Sequence, residues 1–103
     1  MNFKTLDLAI QFNHHIQHIK VAGHLRDQLH RAASSIALNL AEGAAKSSAK
    51  EKRRYYRTAY GSTKECQVIF MLLNSKNIEV IQLADYLGAS IYKLIHSNLS
   101  SFE

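Results

Sequence analysis

Arg31, Ser35, Asn39 and Glu42 recur at i, i+4, i+8 and i+11, a spacing that falls on one stripe when the backbone is an α-helix. Leu29, Ala32, Ile36 and Leu40 form a second stripe beside them. A helix so patterned buries one row and carries a row of hydrogen-bonding groups along its flank. The same segment, Gln28 to Glu65, then turns and enters the basic block of the chain. From Lys46 to Arg57 that block sets Lys46, Lys50, Lys52, Arg53, Arg54 and Arg57 against Glu51, and its excess of five charges equals the formal net charge of the whole chain, +5.

With 103 residues there is room for one small domain built on one core, and residues 1–103 read as a single unit with no linker composition inside. A hydrophobic fraction of 47% against 20% charged is that of a folding chain, too apolar for intrinsic disorder. Proline is absent and there are only four glycines; with abundant Ala, Leu, Ile, Lys and Gln, and no alternating apolar run bounded by hairpin turns, this favours an all-α fold. A single cysteine, Cys66, allows no internal disulfide and fits a reducing cytoplasm. The polar tract Gln11 to Lys20 interrupts any signal-peptide core, and no apolar run reaches the roughly 20 residues of a membrane span. Neither secretion nor a membrane partner is expected.

The apolar periodicity predicts helices over about 5–21, 24–44, 49–74 and 78–97. The first buries Ala9, Phe12, Ile16 and Ile19; the second, Leu25, Leu29, Ala32, Ile36 and Leu40. Gly23 is expected to make a tight connection between them, and Gly43 to end the second. Ser48-Ala49-Lys50-Glu51 has the S-x-x-E form of a capping box. The third helix follows through Tyr55 or Tyr56, Ala59, Ser62, Cys66, Ile69 and Leu73. The fourth is apolar on more than one face, with Ile81, Ala84, Ile91 and Ile95 beside Val80, Leu83, Leu87 and Leu94, which suits burial against an oligomeric neighbour or a wedge between two helices of its own chain. Short connections make an antiparallel up-and-down four-helix bundle the economical architecture.

A hairpin centred on Ala45 places Asn39 near Arg54 or Tyr55, Ser35 near Thr58, and Arg31 near Ser62. Glu65, one turn on, then comes within reach of Arg31. The expectation is an Arg31–Glu65 ion pair, with Ser35 and Asn39 bonding across the seam. The ladder Arg31, Ser35, Asn39 and Glu42, answered by Ser62 and Glu65, reads first as a device that fixes register within one subunit, and second as a set of contacts to a neighbouring subunit.

These residues carry a resemblance. Gln28-x-x-Arg31-Ala32-Ala33-x-Ser35-Ile36-x-x-Asn39-Leu40-Ala41-Glu42-Gly43, then Ser48-x-x-Glu51, then Ala59-x-Gly61-Ser62-x-x-Glu65 resembles the four-helix-bundle proteins encoded in 23S rRNA intervening sequences. The match is specific through the middle third of the chain. It implies a bundle assembled as a ring-like homo-pentamer, distantly similar to the accessory variability determinant proteins of diversity-generating retroelements, which bind nucleic acid beside a reverse transcriptase. The chain departs from the pattern in its short connection between the first two helices, and in Tyr60 and Lys64, which stand where the family is usually apolar or small.

On the third helix Lys50, Arg53, Arg57, Tyr60 and Lys64 follow spacings of three and four, a stripe of about 20 Å along which phosphates can bind. Lys46 and Arg54 flank it. Cations in the first turns of a helix face the positive end of its dipole, a cost that a bound anion relieves. Tyr55, Tyr56 and Tyr60 interleave the charges, and an exposed tyrosine stacks on unpaired bases. The contrasting reading makes Tyr55 or Tyr56 core and the cations a solvated face. His14, His15 and His18 lack a carboxylate or thiol nearby in sequence to complete a metal shell. Glu51 is explained by its cap and Glu65 by Arg31, Glu42 has no evident partner, and no phosphate loop or nucleophile motif is present. The leading expectation is a non-enzymatic, oligomeric bundle that binds RNA or DNA, with no cofactor and no small-molecule substrate. Its competitor is a structural or protein-interaction bundle whose basic face confers solubility.

Overall fold

The computed structural model describes residues 3–21 and 23–99; residues 1, 2, 22 and 100–103 of the expected span lie outside the described residues. The apolar stripes fold as four helices, α1 (Lys4–His18), α2 (Leu25–Ala44), α3 (Ala49–Leu72) and α4 (Ile78–Ile95). The starts of α3 and α4 are capped by side chains. Ser48 Oγ accepts the Glu51 amide at 3.1 Å and Asn77 Oδ1 accepts the Val80 amide at 3.2 Å, satisfying orphan donors at the starts of α3 and α4. α3 ends in a Schellman arrangement. The Ser75 amide reaches back to Phe70 O and the Asn74 amide to Met71 O, both at 3.0 Å, with Asn74 in the left-handed region at φ 51°.

α1 stops at His18, earlier than the expected Val21. Ile19 swings into extended backbone at φ −92°, ψ 146°, because Ile19 and Val21 then pack half-buried against the core instead of extending a helix into solvent. Gly23, at φ +77°, supplies the left-handed reversal that only glycine adopts freely. The connection therefore leaves α1 through extended Ile19 and re-enters helix just after the Gly23 reversal.

Side-chain pairs fix the directions of the helices. Thr5 and Ser90 share a hydrogen bond of 2.7 Å and His15 lies 4.0 Å from Glu79, so α1 and α4 run antiparallel. Arg53 meets the end of α4 while Gln67 donates to Asp85 at 2.7 Å, so α3 and α4 do likewise. Along α2 and α3, Arg31 faces Glu65 and Ser35 faces Ser62. Consecutive helices pack on one another, and α1 closes on α4. The result is the all-α, up-and-down four-helix bundle.

The centre is filled by Phe12, Ile16, Leu29, Ile36, Leu40, Leu87 and Ile91, all fully buried. From α3 come Tyr56, Ala59, Thr63, Cys66, Ile69 and Phe70. Ser62, expected on this stripe, sits half-buried at the α2 seam, and Thr63 takes the core position by donating its hydroxyl to Ala59 O at 2.9 Å. In α4, Val80, Ala84, Leu87, Gly88, Ile91 and Ile95 are buried while Ile81, Leu83 and Leu94 are half-buried against the same core. A wedge between α3 and α1 thus accounts for the breadth of its apolar face. Among the described residues no buried side-chain nitrogen or oxygen lacks a partner.

The α2–α3 register is shifted by about one turn from the expected one. Ser35 opposes Ser62, not Thr58, with Ser62 donating across the seam at 2.9 Å. The link after α2 differs from a hairpin centred on Ala45. Ala45 stays helical at φ −82°, ψ −11°, and the Lys46 amide still bonds Gly43 O at 3.1 Å, so the midpoint of the hairpin moves beyond Ala45. Asn39 consequently does not bond across the seam; it donates to Ser35 O at 2.8 Å and to Ser35 Oγ at 3.0 Å within its own helix.

Gly43 and Gly61 give opposite tests of this packing. A Cβ on Gly43 meets Tyr56 Cε1 at 2.7 Å and Tyr55 Cβ at 3.0 Å, whereas one on Gly61 meets nothing within 4 Å. Overpacking of about 1–3 kcal/mol outweighs the helix-propensity gain at Gly43, so Gly43→Ala lowers the denaturant midpoint. Gly61→Ala raises stability by about 0.5–1 kcal/mol. Equal shifts of the same sign in urea unfolding are the contrary result.

Candidate nucleic-acid interface

The basic block divides according to what each cation touches. Lys52 lies on the inward face of α3, 3% exposed, and its ammonium donates to Ala44 O at 3.1 Å. Arg53 points toward α4, where Nε donates to Ile95 O at 3.0 Å and Nη2 to Ser97 O at 3.1 Å. Both therefore serve carbonyls at or just past the ends of other helices, α2 and α4, where the dipoles present negative charge. Lys46, with 29% of its side chain exposed, pairs with Glu42 at 3.4 Å. This supplies the partner that Glu42 lacked in sequence.

Two expectations about the stripe change as a result. Arg53 is half-buried with two donors committed to backbone, so it belongs to the joint between α3 and α4. Arg54 takes its place in the outward row. The cost of gathering cations at the start of α3 is offset inside the fold by the ends of α2 and α4, so it requires no bound anion. Lys50, Arg54, Arg57 and Lys64 are all exposed. Among the described residues none of these four makes an ion pair. At helical rise the row extends about 21 Å.

The tyrosines are less available than their spacing suggests. Tyr56 is core, 3% exposed, with its ring edge-on to Phe3 at 6.2 Å. Tyr55 is half-buried beside two cations, Lys46 at 5.2 Å and Arg54 at 5.0 Å from its ring centre. Tyr60 is half-buried, with Lys64 at 5.2 Å over its ring and Tyr92 at 6.1 Å beside it. Tyr92, from α4, is 53% exposed and packs at 4.3 Å on the ring of His96. The i, i+4 spacing of Tyr92 and His96 was the signal available in sequence, and the breadth of the apolar pattern in α4 obscured it.

The polar ladder lies along the α2–α3 seam. Arg31 Nη2 donates to Glu65 Oε2 at 2.8 Å with 64% and 39% of the two side chains exposed. A pair so exposed contributes about 0–1 kcal/mol; its geometric effect is to join two helices at a fixed height. Cys66, beneath it, is fully buried, and burial pushes its thiol from 9.0 to about 12, with the Glu65 carboxylate adding to the rise. Such a thiol is held neutral and is not a nucleophile. His14, His15 and His18 gather no shell: His18 Nδ1 contacts His14 O at 2.7 Å, and among the described residues no group of three His, Cys, Asp or Glu side chains is placed to hold a metal ion. No helix of the described residues is long and apolar enough to cross a membrane.

Arg53→Ala removes two charge-assisted bonds to carbonyls and lowers stability by about 1.5–3 kcal/mol, whereas Lys50→Ala stays within about 0.5 kcal/mol; matched urea unfolding of both variants checks this. The Cys66 shift carries a second expectation. Its stabilising contribution is complete below the unfolded thiol's pKa and is lost as pH rises through the folded value. The stability difference between the wild type and Cys66→Ala therefore narrows between pH 9.0 and about 12. A difference constant across that window contradicts it.

The sequence model of the 23S rRNA-intervening sequence protein family matches residues 3–86, which takes in α1 to α3, the seam ladder, the basic block and the first half of α4. No curated protein and no solved structure matches this chain. By the extent of that match, the chain belongs to the 23S rRNA-intervening sequence protein family.

Proposed function

We propose that this protein is a non-enzymatic, homo-oligomeric bundle of the cytoplasm that binds RNA or DNA through phosphate contacts on the outer face of α3. The observation that carries the reading is the row Lys50, Arg54, Arg57 and Lys64, exposed on one helix face and unpaired with any carboxylate among the described residues. Phosphate contacts of this kind bind without reading sequence. Glu51 and Glu65 are engaged by Ser48 and Arg31, and Cys66 is held neutral, which supports a role in binding and not in catalysis.

Self-assembly is supported by the other half of the same face. Beyond Lys64 it turns apolar, with Val68, Met71 and Leu72 exposed at 47%, 70% and 68%, and a neighbouring copy gains burial there. A homo-pentamer is the state the family resemblance implies. The competing reading, a structural or protein-interaction bundle with no nucleic-acid role, draws on this apolar end and on exposed Leu38, Ile78 and Tyr86.

Salt separates the two. If each of the four cations meets one phosphate, raising salt from about 50 to about 200 mM weakens binding to generic RNA by roughly 50- to 150-fold per subunit. The triple reversal Lys50→Glu, Arg54→Glu and Arg57→Glu abolishes binding while leaving helical circular dichroism and mass in solution unchanged. Absence of binding at low salt by the wild type removes the reading.

A further inference from the structure

Between α3 and α4, beside the outward cations, runs a groove of about 390 Å³ lined by Tyr60, Lys64, Gln67, Asp85, Tyr92 and Lys93 among others. It exists because α4 presents small residues there: Gly88, with the Thr63 methyl 3.7 Å from where its Cβ would lie, and Ala89. Tyr60 and Tyr92 form an aromatic step down its side, with ring centres 6.1 Å apart, and His96 packs on Tyr92 at 4.3 Å from outside the lining. Tyr92 is 53% exposed, well above what a tyrosine serving only the core retains. Lys64 and Lys93, both exposed, flank the step. At the far side Gln67 Nε2 donates to Asp85 Oδ1 at 2.7 Å, leaving the amide oxygen and the second carboxylate oxygen as acceptors.

From this arrangement we infer that the α3–α4 groove is a subsite for an unpaired nucleotide of single-stranded nucleic acid, with the base stacked on Tyr92 and its flanking phosphates on Lys64 and Lys93. The inference rests on the proposed phosphate-binding role of α3 and specifies what kind of strand that face takes. An aromatic face between two cations is the pairing of base platform and backbone charge that single strands require. A duplex keeps its base faces stacked inside and has none to offer. Gln67 and Asp85 line the groove and retain acceptor oxygens suited to amino groups on a base edge. Lys64 joins the groove to the outward row of α3, so one strand follows the helix face and places a base here.

The test is anisotropy titration at low salt of full-length protein with a labelled single-stranded RNA and with a duplex of equal length, for the wild type, Tyr92→Leu and Tyr92→Phe. Leucine keeps apolar bulk at an exposed site, so the fold survives. Tyr92→Leu weakens single-strand binding about tenfold and leaves duplex binding unchanged, while Tyr92→Phe, which retains the ring face, restores it. Equal losses on both substrates, or no loss on either, overturn the groove while the α3 phosphate reading stands. A change in solution mass for Tyr92→Leu assigns the groove to self-assembly and overturns it as well. Failure of the wild type to bind either RNA removes both readings.

Discussion

The close approach of Gly43 to the Tyr56 ring governs how the outside of α3 is presented. With no Cβ on Gly43, α2 comes down onto the Tyr56 ring, and that ring meets Phe3 at the other side of the core. Once Tyr56 points inward, helical geometry assigns every other position on α3. Lys52, Ala59 and Thr63 share its buried face. Tyr55 and Ser62 turn to α2, and Arg53 and Tyr60 to α4. Lys50, Arg54, Arg57 and Lys64 are left facing outward. The Ser35–Ser62 and Arg31–Glu65 contacts repeat the same register at successive turns, so a slip of one residue would break all of them and rotate the cations out of their row.

The architecture was legible because it depends on periodicity, and the register was not because it depends on a turn. Apolar spacing located all four helices and most of the residues that fill the core, and the S-x-x-E pattern located the start of α3. What spacing could not supply was the path of the link between α2, which ends at Ala44 as expected, and α3. Ala45 and Lys46 remain tied to α2 through backbone bonds, and nothing in their side chains announces it. With that link in place Ser35 meets Ser62 instead of Thr58, and Asn39 bonds within its own helix. The different surroundings of Arg53 and Arg54 were hidden for a related reason. The two are adjacent in sequence, and only the position of the end of α4, far along the chain, decides which one meets carbonyls and which meets water. Tyr92 and His96 escaped notice because the wide apolar pattern of α4 concealed a local aromatic pair.

The arrangement of dipoles explains why a +5 chain places so much charge at one point and how much of it is free. In an up-and-down bundle the N-terminus of α3 lies beside the C-termini of α2 and α4. Cations there repel their own helix dipole but answer the exposed carbonyls of two neighbours, as Lys52 does at Ala44 and Arg53 at Ile95 and Ser97. Part of the basic block is therefore internal counter-charge, fixed by topology whatever the protein binds. The free remainder on α3 is a single row of four side chains. A row of that size offers few phosphate contacts, so under the proposed function one chain alone would bind nucleic acid weakly and lose most of that affinity as salt rises. Several rows held on one assembly act at high effective concentration toward the same strand. On that arithmetic the two proposed uses of α3 are complementary: assembly through its apolar end, Val68, Met71 and Leu72, would multiply the individually weak contacts of Lys50, Arg54, Arg57 and Lys64.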